Sequence, residues 1–343
     1  MRPVIDGHND VLSRLQRDAA GDDALLTDGA ATITVQAARA GGLAAGLFAV
    51  LPRPPEWELR HSPGGYDMPL APAVGFEQAV RDVGALAARL FRIVAASQGA
   101  VRLVRDARDL DACLAGEALG AILHMEGADA IDAELDTLEV WHAAGLRSVG
   151  IVWSRPNAFG HGVPFRFPSS PDTGEGLTRA GIALVRRCAE LGIALDLSHL
   201  NAAGFWDVAR TLDGPLIASH SCAHALCPSA RNLTDEQLDA VAASGGLVGI
   251  CFAVSFLRAD GDDDAATPVE RIAEHARYVA DRCGVDHVAL GSDFDGATMP
   301  AALADAAALP AVLAALEAVG FEGGEIDRIA SGNWRRVLGA AWG

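Results

Sequence analysis

The chain has 343 residues, half of them hydrophobic, and its 45 acidic against 27 basic side chains give a net charge of −18. A nucleic-acid surface needs clustered basic residues, so this charge argues against nucleic-acid binding. All 27 basic residues are arginine, which excludes Schiff-base chemistry, a P-loop lysine and a carboxylated lysine that bridges metal ions. The six cysteines have no CxxC spacing, and we interpret them as reduced structural thiols.

The sequence also lacks membrane and export signals. It contains no uncharged apolar run of about 18 residues or more, and its first residues do not have the regions of a signal peptide. We therefore expect a cytoplasmic protein that has no membrane partner.

Short apolar runs and helical periodicity alternate along the chain and predict its elements in order. Strands are predicted at 4–8, 42–50, 120–126, 148–153, 193–199, 216–220, 247–252 and 288–293. Helices are predicted at 76–96, 132–144, 177–191, 201–211, 234–244, 268–283 and 325–340, with a capping signal in Thr234 to Gln237. Eight strands that alternate with helices close into a parallel barrel. With no linker to divide the chain, we expect residues 1–343 to form a single-domain α/β fold, a (β/α)8 TIM barrel.

Three connections that follow predicted strands are long and rich in proline and glycine, at 51–75, 155–176 and 253–267. In a barrel such loops rise from the C-terminal face, where active sites are built. We expect them to form walls or lids of a site. Variable surface decoration is the alternative for any one of them.

Side chains of metal-ligand type gather at the C-terminal ends of the predicted strands. They are His8 and Asp10 on the first strand, Glu126 on the third, His199 on the fifth, His220 on the sixth and Asp293 on the eighth. A single histidine in such a place is usually a satisfied structural residue. Six such groups at one barrel mouth would be a costly burial of polarity unless a cation binds there.

The residue types indicate which cation. His8 and Asp10 are two positions apart, so on a strand both point to the same side. Histidine and carboxylate ligands without cysteine suit Zn²⁺ or a related divalent transition metal. Because the chain has no lysine to carboxylate, a carboxylate would have to bridge two ions, and Glu126 is the leading candidate. Two such ions can hold a hydroxide between them and polarise a carbonyl, as in metal-assisted hydrolysis.

Seven fragments in order carry a resemblance to a known family: DGHND, HMEG, DLSH, SHS, SARNLTDEQL, GSDFDG and SGNWRRVL. From residue 4 to about residue 338, the chain resembles the membrane (renal) dipeptidase family of binuclear zinc peptidases, within the amidohydrolase superfamily. The resemblance implies two zinc ions, hydrolysis of the amide bond of small dipeptides, and a homodimer.

The resemblance also implies roles for the matched residues. One zinc ion would be held by His8, Asp10 and Glu126, and the second by Glu126, His199 and His220. Asp293 would be the general acid/base that takes the proton from the bridging water and delivers it to the leaving amine. Arg231 would pair with the C-terminal carboxylate of the substrate.

Several positions leave alternatives open. Asp295 could replace Asp293, since an extended GSDFDG segment would place both carboxylates on one side. The family commonly has a substrate-binding histidine just after the fourth strand, where this chain has Trp153, an indole that cannot become a cation. Either Trp153 reshapes the substrate pocket, or His161 reaches in from the next loop. The substrate could therefore differ from that of the mammalian enzyme, with L-Xaa-D-Xaa dipeptides among the candidates. We expect His124 to lie behind the site.

Two other functions remain open. The chain could be a different amidohydrolase, such as a lactonase or a deaminase, because a binuclear site activates water for many electrophiles. Arg231 argues for a dipeptidase, since a neutral lactone needs no cation to bind it. A catalytically silent binding barrel is the third reading, and measured zinc content would test it.

Overall fold

The computed structural model describes residues 1–27, 29–53, 61–62 and 64–343. The predicted loop 51–75 therefore falls partly outside the described residues. The strands are β1 (Val4–Asn9), β2 (Leu43–Val50), β3 (His61–Ser62), β4 (Gly65–Asp67), β5 (Val101–Leu103), β6 (Leu119–Glu126), β7 (Leu146–Gly150), β8 (Arg166–Phe167), β9 (Ala194–Asp196), β10 (Ile217–Ser221), β11 (Leu247–Ile250) and β12 (Val288–Leu290).

Eight parallel strands close into a barrel. Their order around the ring is β1, β2, β6, β7, β9, β10, β11 and β12, and the pairings of β2 with β6 and of β1 with β12 complete it. The short β5 pairs with the first residues of β6. The chain is thus a single α/β domain with a TIM barrel, which confirms the predicted fold.

The α-helices of the described residues surround this barrel. They are α1 (Val11–Arg17), α2 (Val35–Gly41), α3 (Phe76–Ala96), α4 (Ala107–Leu114), α5 (Asp136–Ala144), α6 (Arg179–Leu191), α7 (Ala202–Thr211), α8 (Asp235–Ala243), α9 (Val254–Leu257), α10 (Glu270–Cys283), α11 (Leu309–Ala318), α12 (Gly323–Asp327) and α13 (Asn333–Trp342). The predicted capping box opens α8, where the side chains of Thr234 and Gln237 each bond the other's backbone. Among the described helices, none is both long and apolar enough to cross a membrane.

The three long loops all reach the C-terminal mouth of the barrel. Two of them meet in a small antiparallel sheet, in which β4 pairs with both β3 and β8. Leu51, Phe165 and Phe256, one from each loop, line the cavity at the mouth. The loops are therefore walls of this cavity, as predicted.

Apolar side chains fill the lower part of the barrel. Ile5, Ile122 and Ile217 belong to one buried cluster inside the strands, and Trp334 of α13 joins it. The Trp334 ring is fully buried, and its Nε1 donates to the Leu290 carbonyl at 2.9 Å. A packed floor of this kind leaves the upper, C-terminal half of the barrel for polar residues.

Backbones approach closely in the middle of the barrel. A Cβ atom at Gly7, Gly249 or Gly291 would overlap the carbonyl oxygen of Ser219. Three strands can therefore converge on β10 only because these positions have no side chain.

Candidate metal centre

A cavity of about 870 Å³ opens at the C-terminal mouth of the barrel. Asp10, Glu126, His199 and Asp293 lie in its wall. His8 and His220 are 0% and 1% exposed and lie directly behind that wall. The structure therefore brings together the six residues that the strand ends predicted, although β9 ends three residues before His199, and β12 ends three residues before Asp293.

Glu126 is at the centre of this cluster. Its Oε1 lies 3.0 Å from Nε2 of His199 and 3.6 Å from Nε2 of both His8 and His220. His8 Nε2 lies 3.6 Å from Asp10 Oδ2 on the other side. Within the described residues, two triads have ligand atoms close enough to share a cation: His8, Glu126 and His220, and His8, Asp10 and Asp293.

Buried polar atoms of the cluster have no hydrogen-bond partner in the described part of the chain. They are both ring nitrogens of His8, Oδ1 of Asp10 and Oε2 of Glu126. Each buried polar atom that lacks a hydrogen-bond partner destabilises the folded chain by about 1–3 kcal/mol unless a ligand satisfies it. Nitrogen and carboxylate oxygen are the donor set of zinc and related cations. The residues present therefore fit divalent cations.

The electrostatics of the cluster favour added positive charge. Burial opposes protonation of His8, but Glu126, Asp10 and Asp293 outweigh it and raise the pKa of His8 to about 10. Burial raises the pKa of Glu126 to about 8 and that of Asp293 to about 6. Carboxylates this close repel one another when ionised, and a cation between them would relieve the repulsion.

The other two histidines are neutral. Burial, together with nearby cationic groups, holds the pKa of His199 and of His220 well below the usual value. A metal ligand must be a neutral imidazole, so these side chains are in the required state. His124 packs behind the site, with its Nδ1 2.9 Å from Ser148 Oγ.

The turn that carries Asp293 differs from the prediction. Asp293 and Asp295 have φ angles of 63° and 67°, so GSDFDG is a left-handed turn and not an extended segment. The expected extended segment is therefore wrong, although Asp293 and Asp295 both lie in the wall of the cavity. The Asp295 side chain, 1% exposed, accepts a hydrogen bond from Thr32 and lies 3.5 Å from Arg14. Asp293 alone of the two belongs to a triad of the cluster.

Arg231 lies beside the cluster and faces the cavity. Its side chain is buried, and its guanidinium donates to the carbonyl oxygen of Ser198 and, at 3.1 Å, to that of His220. The guanidinium carbon lies 5.3 Å from the ring centroid of Phe256. Its Nε has no described partner. The guanidinium of Arg231 is thus held in a fixed position at the cavity wall, next to His220 of the cluster.

Trp153 also lines the cavity, with its ring centroid 5.8 Å from that of His199. Arg155 stacks on the indole at 5.3 Å and pairs with the buried Asp129 at 2.9 Å. His161 pairs through its backbone with Pro156 and is not among the described residues that line the cavity. Of the two sequence candidates for this position, the geometry favours Trp153.

Some site residues could not be found from sequence. Ser154 and Ser219 lie 2.9 Å and 2.8 Å from Nδ1 of His199 and of His220. Asp196 bonds Ser219 in turn. Asp196 and Ser219 belong to the DLSH and SHS fragments, but Ser154 lies in none of the seven fragments. A single serine or aspartate of this kind has no sequence pattern of its own.

Fold and site together define a class, the barrel enzymes whose histidines and carboxylates hold metal at the C-terminal mouth. The sequence profile described as "Membrane dipeptidase (Peptidase family M19)" matches residues 1–342. The chain belongs to this family and is a metallopeptidase of the dipeptidase type.

Relatives and solved structures agree with this assignment. The chain is similar to a metallo peptidase from Rhodobacter sphaeroides, crystallised with a phosphinate mimic of the dipeptide L-Ala-D-Ala, at 46% identity over 99% of both chains with a TM-score of 0.95. It is similar to the dipeptidase AC of family M19, at 47% identity over 99% of both chains with a TM-score of 0.93. Dipeptidase aclJ of Aspergillus oryzae is 32% identical over 64% of this chain and 51% of its own.

Proposed function

We propose that the chain hydrolyses the peptide bond of dipeptides, including L-Xaa-D-Xaa dipeptides, at a centre of two zinc ions. One observation carries this proposal: a buried arginine and a cluster of metal-ligand type share one cavity wall, and Arg231 is bonded to the backbone of His220. The inhibitor bound to the Rhodobacter sphaeroides enzyme mimics L-Ala-D-Ala, which supports the choice of substrate.

The residues divide between metal binding, substrate binding and proton transfer. His8, Asp10, Glu126, His199 and His220 would hold the cations, with Glu126 between them. Bound cations supply an activated water and polarise the scissile carbonyl.

Arg231 would bind the substrate's C-terminal carboxylate, because a guanidinium forms paired, charge-assisted hydrogen bonds to a carboxylate. This contact would bring the scissile amide of a dipeptide, one residue away, to the cluster. Trp153 would form the wall beside the scissile bond, without a cation of its own.

Asp293 would carry the proton from the attacking water to the leaving amine. Its carboxylate lies in the same triad as His8 and Asp10, and the adjacent cations would keep it ionised and able to accept a proton at neutral pH. The buried guanidinium of Arg231 beside the cluster also distinguishes this function from that of a lactonase, because a neutral lactone offers no carboxylate for it to bind.

The test compares a dipeptide with its C-terminal amide, which has no carboxylate. We expect Arg231→Met to raise KM for L-Ala-D-Ala about 10²-fold, the loss of a carboxylate partner of a few kcal/mol, and to change hydrolysis of L-alanyl-D-alaninamide much less. Arg277, which stacks on Phe321 at 4.4 Å, is the matched control. Arg277→Met should leave both substrates unaffected. Equal losses on the two substrates with Arg231→Met would contradict the carboxylate role, and no hydrolysis of any dipeptide by zinc-loaded protein would contradict the function.

A further inference from the structure

Asp196 is a buried carboxylate to which the proposed function gives no role. It ends β9, is 4% exposed, and accepts hydrogen bonds from two serines. The backbone N–H groups of Ser198 and Ser219 donate at 3.1 Å and 2.8 Å, and both hydroxyls donate at 2.6 Å. A carboxylate only accepts, so the single hydrogen of each hydroxyl is committed to Asp196.

This arrangement determines the hydrogen bond to His220. Ser219 Oγ lies 2.8 Å from His220 Nδ1. Because the Ser219 hydroxyl has already given its hydrogen to Asp196, Nδ1 must carry the hydrogen of this second bond. A neutral imidazole protonated on Nδ1 has its lone pair on Nε2, the atom that lies 3.6 Å from Glu126 Oε1.

His199 is not fixed in the same way. Its Nδ1 lies 2.9 Å from Ser154 Oγ, and that hydroxyl has no second partner in the described part of the chain. Ser154 can therefore donate or accept, and both tautomers of His199 are open. The two Nε2 atoms of His199 and His220 are 3.2 Å apart, a contact that needs one hydrogen. With His220 fixed, that hydrogen is on His199.

We propose that Asp196, acting through Ser219, is a positioning residue that sets His220 in its metal-binding tautomer before a cation arrives. The inference rests on the proposed metal centre. Carboxylates that orient a metal-binding histidine through a hydrogen bond raise metal affinity about 10–100-fold. Here a serine hydroxyl lies between the carboxylate and the histidine.

The direct test is the tautomer of His220 in metal-free protein, read from the ¹⁵N chemical shifts of ¹⁵N-histidine-labelled chain. His220→Gln identifies the His220 signals. We expect the wild type to have hydrogen on Nδ1 alone, and Ser219→Ala and Asp196→Asn to populate both tautomers. Ser148→Ala is the matched control, since it removes the same kind of bond from His124, at 2.9 Å, and it should leave His220 unchanged. Hydrogen on Nε2 of His220 in the wild type, or no change in Ser219→Ala, would overturn the proposal.

Zinc affinity, measured by competition with a chelator, gives the second readout. We expect Ser219→Ala to weaken zinc binding about 10–100-fold and Ser148→Ala to leave it unchanged. Circular dichroism checks that each variant is folded. If Ser219→Ala binds zinc as tightly as the wild type, this inference fails while the proposed function stands. If the wild-type tautomer is as expected but no zinc binds, the proposed function fails and the assignment of Asp196 to tautomer control is kept.

Discussion

Gly296 is packed against two carboxylates of the proposed centre. A Cβ atom there would overlap Oδ1 of Asp293 and Oδ2 of Asp10. We expect Gly296→Ala to displace both carboxylates, to weaken zinc binding and to lower kcat/KM about 10²-fold or more, as misplaced catalytic groups do. Gly84→Ala on α3, where a Cβ meets nothing within 4 Å, is the control and should keep full activity. Normal kinetics in Gly296→Ala would show that the turn can move without loss.

Asp293→Asn tests proton transfer at the same place. The amide has nearly the shape of the carboxylate but cannot carry the proton, so kcat should fall about 10²-fold or more. Both zinc ions should remain bound, because Asp293 is not needed to complete the five proposed ligands. Elemental analysis beside the kinetics separates the outcomes. Loss of a zinc ion would make Asp293 a ligand first, and unchanged kcat would remove it from the mechanism.

At the scale of single residues, the sequence predicted the place of those site residues whose position follows from a strand. His8, Glu126 and His220 are at strand ends, so barrel geometry alone brings them together. The left-handed turn at Asp293 and Asp295 was not predictable, since two non-glycine residues with positive φ are held by tertiary contacts such as Thr32 with Asp295.

At the scale of elements, prediction succeeded where an apolar pattern was long. The bounds of α3 were predicted without error, and β2 and β6 within one residue. The helices α1, α2 and α4, of seven or eight residues, were not predicted, because two turns are too short to establish a period. The predicted helix 325–340 is divided by a π-helical turn at Arg328–Gly332, which no periodicity indicates.

His275 connects α10 to two loops at the mouth. Its Nδ1 accepts from the Ala223 N–H at 3.1 Å, and its Nε2 donates to the Leu257 carbonyl at 3.0 Å. Burial lowers its pKa from 6.5 to about 4. The unfolded chain therefore takes up the proton first, so this stabilisation is complete above the unfolded pKa and is lost as the pH falls from 6.5 towards 4.

We expect this one group to remove about 1.4 kcal/mol of unfolding free energy per pH unit in that window. Urea unfolding of metal-free protein at pH 7 and pH 5 measures the slope. His275→Gln should lower stability at pH 7 and have a shallower decline towards pH 5. An unchanged slope would show that His275 is already protonated or exposed in the folded chain.

At the scale of the whole molecule, the closed barrel followed from eight apolar runs alone. The sequence did not indicate how the interior of the barrel is filled. Trp334 enters it from α13, a helix near the C-terminal end of the chain. The indole of Trp334 is anchored there by its hydrogen bond to the carbonyl of Leu290, the last residue of β12.

We expect Trp334→Ala to lower the free energy of unfolding by about 3–5 kcal/mol, since it leaves a cavity inside the strands. Trp342 on the same helix is half-buried and donates to the Arg147 carbonyl at 3.1 Å. Trp342→Ala should be clearly less destabilising in the same denaturant titration. Equal losses would mean that the barrel floor is not a packed layer.

The crowding of Asp10, Glu126 and Asp293 around His8 makes cation binding and folding a single linked equilibrium. A ligand that binds only the folded chain stabilises it by RT ln(1 + [L]/Kd), about 2.7 kcal/mol at a hundredfold excess over Kd. Metal ions could therefore be ranked by melting temperature at equal free concentration, with no substrate in hand. For the same reason a chelator in a purification buffer would act on this protein as a mild denaturant.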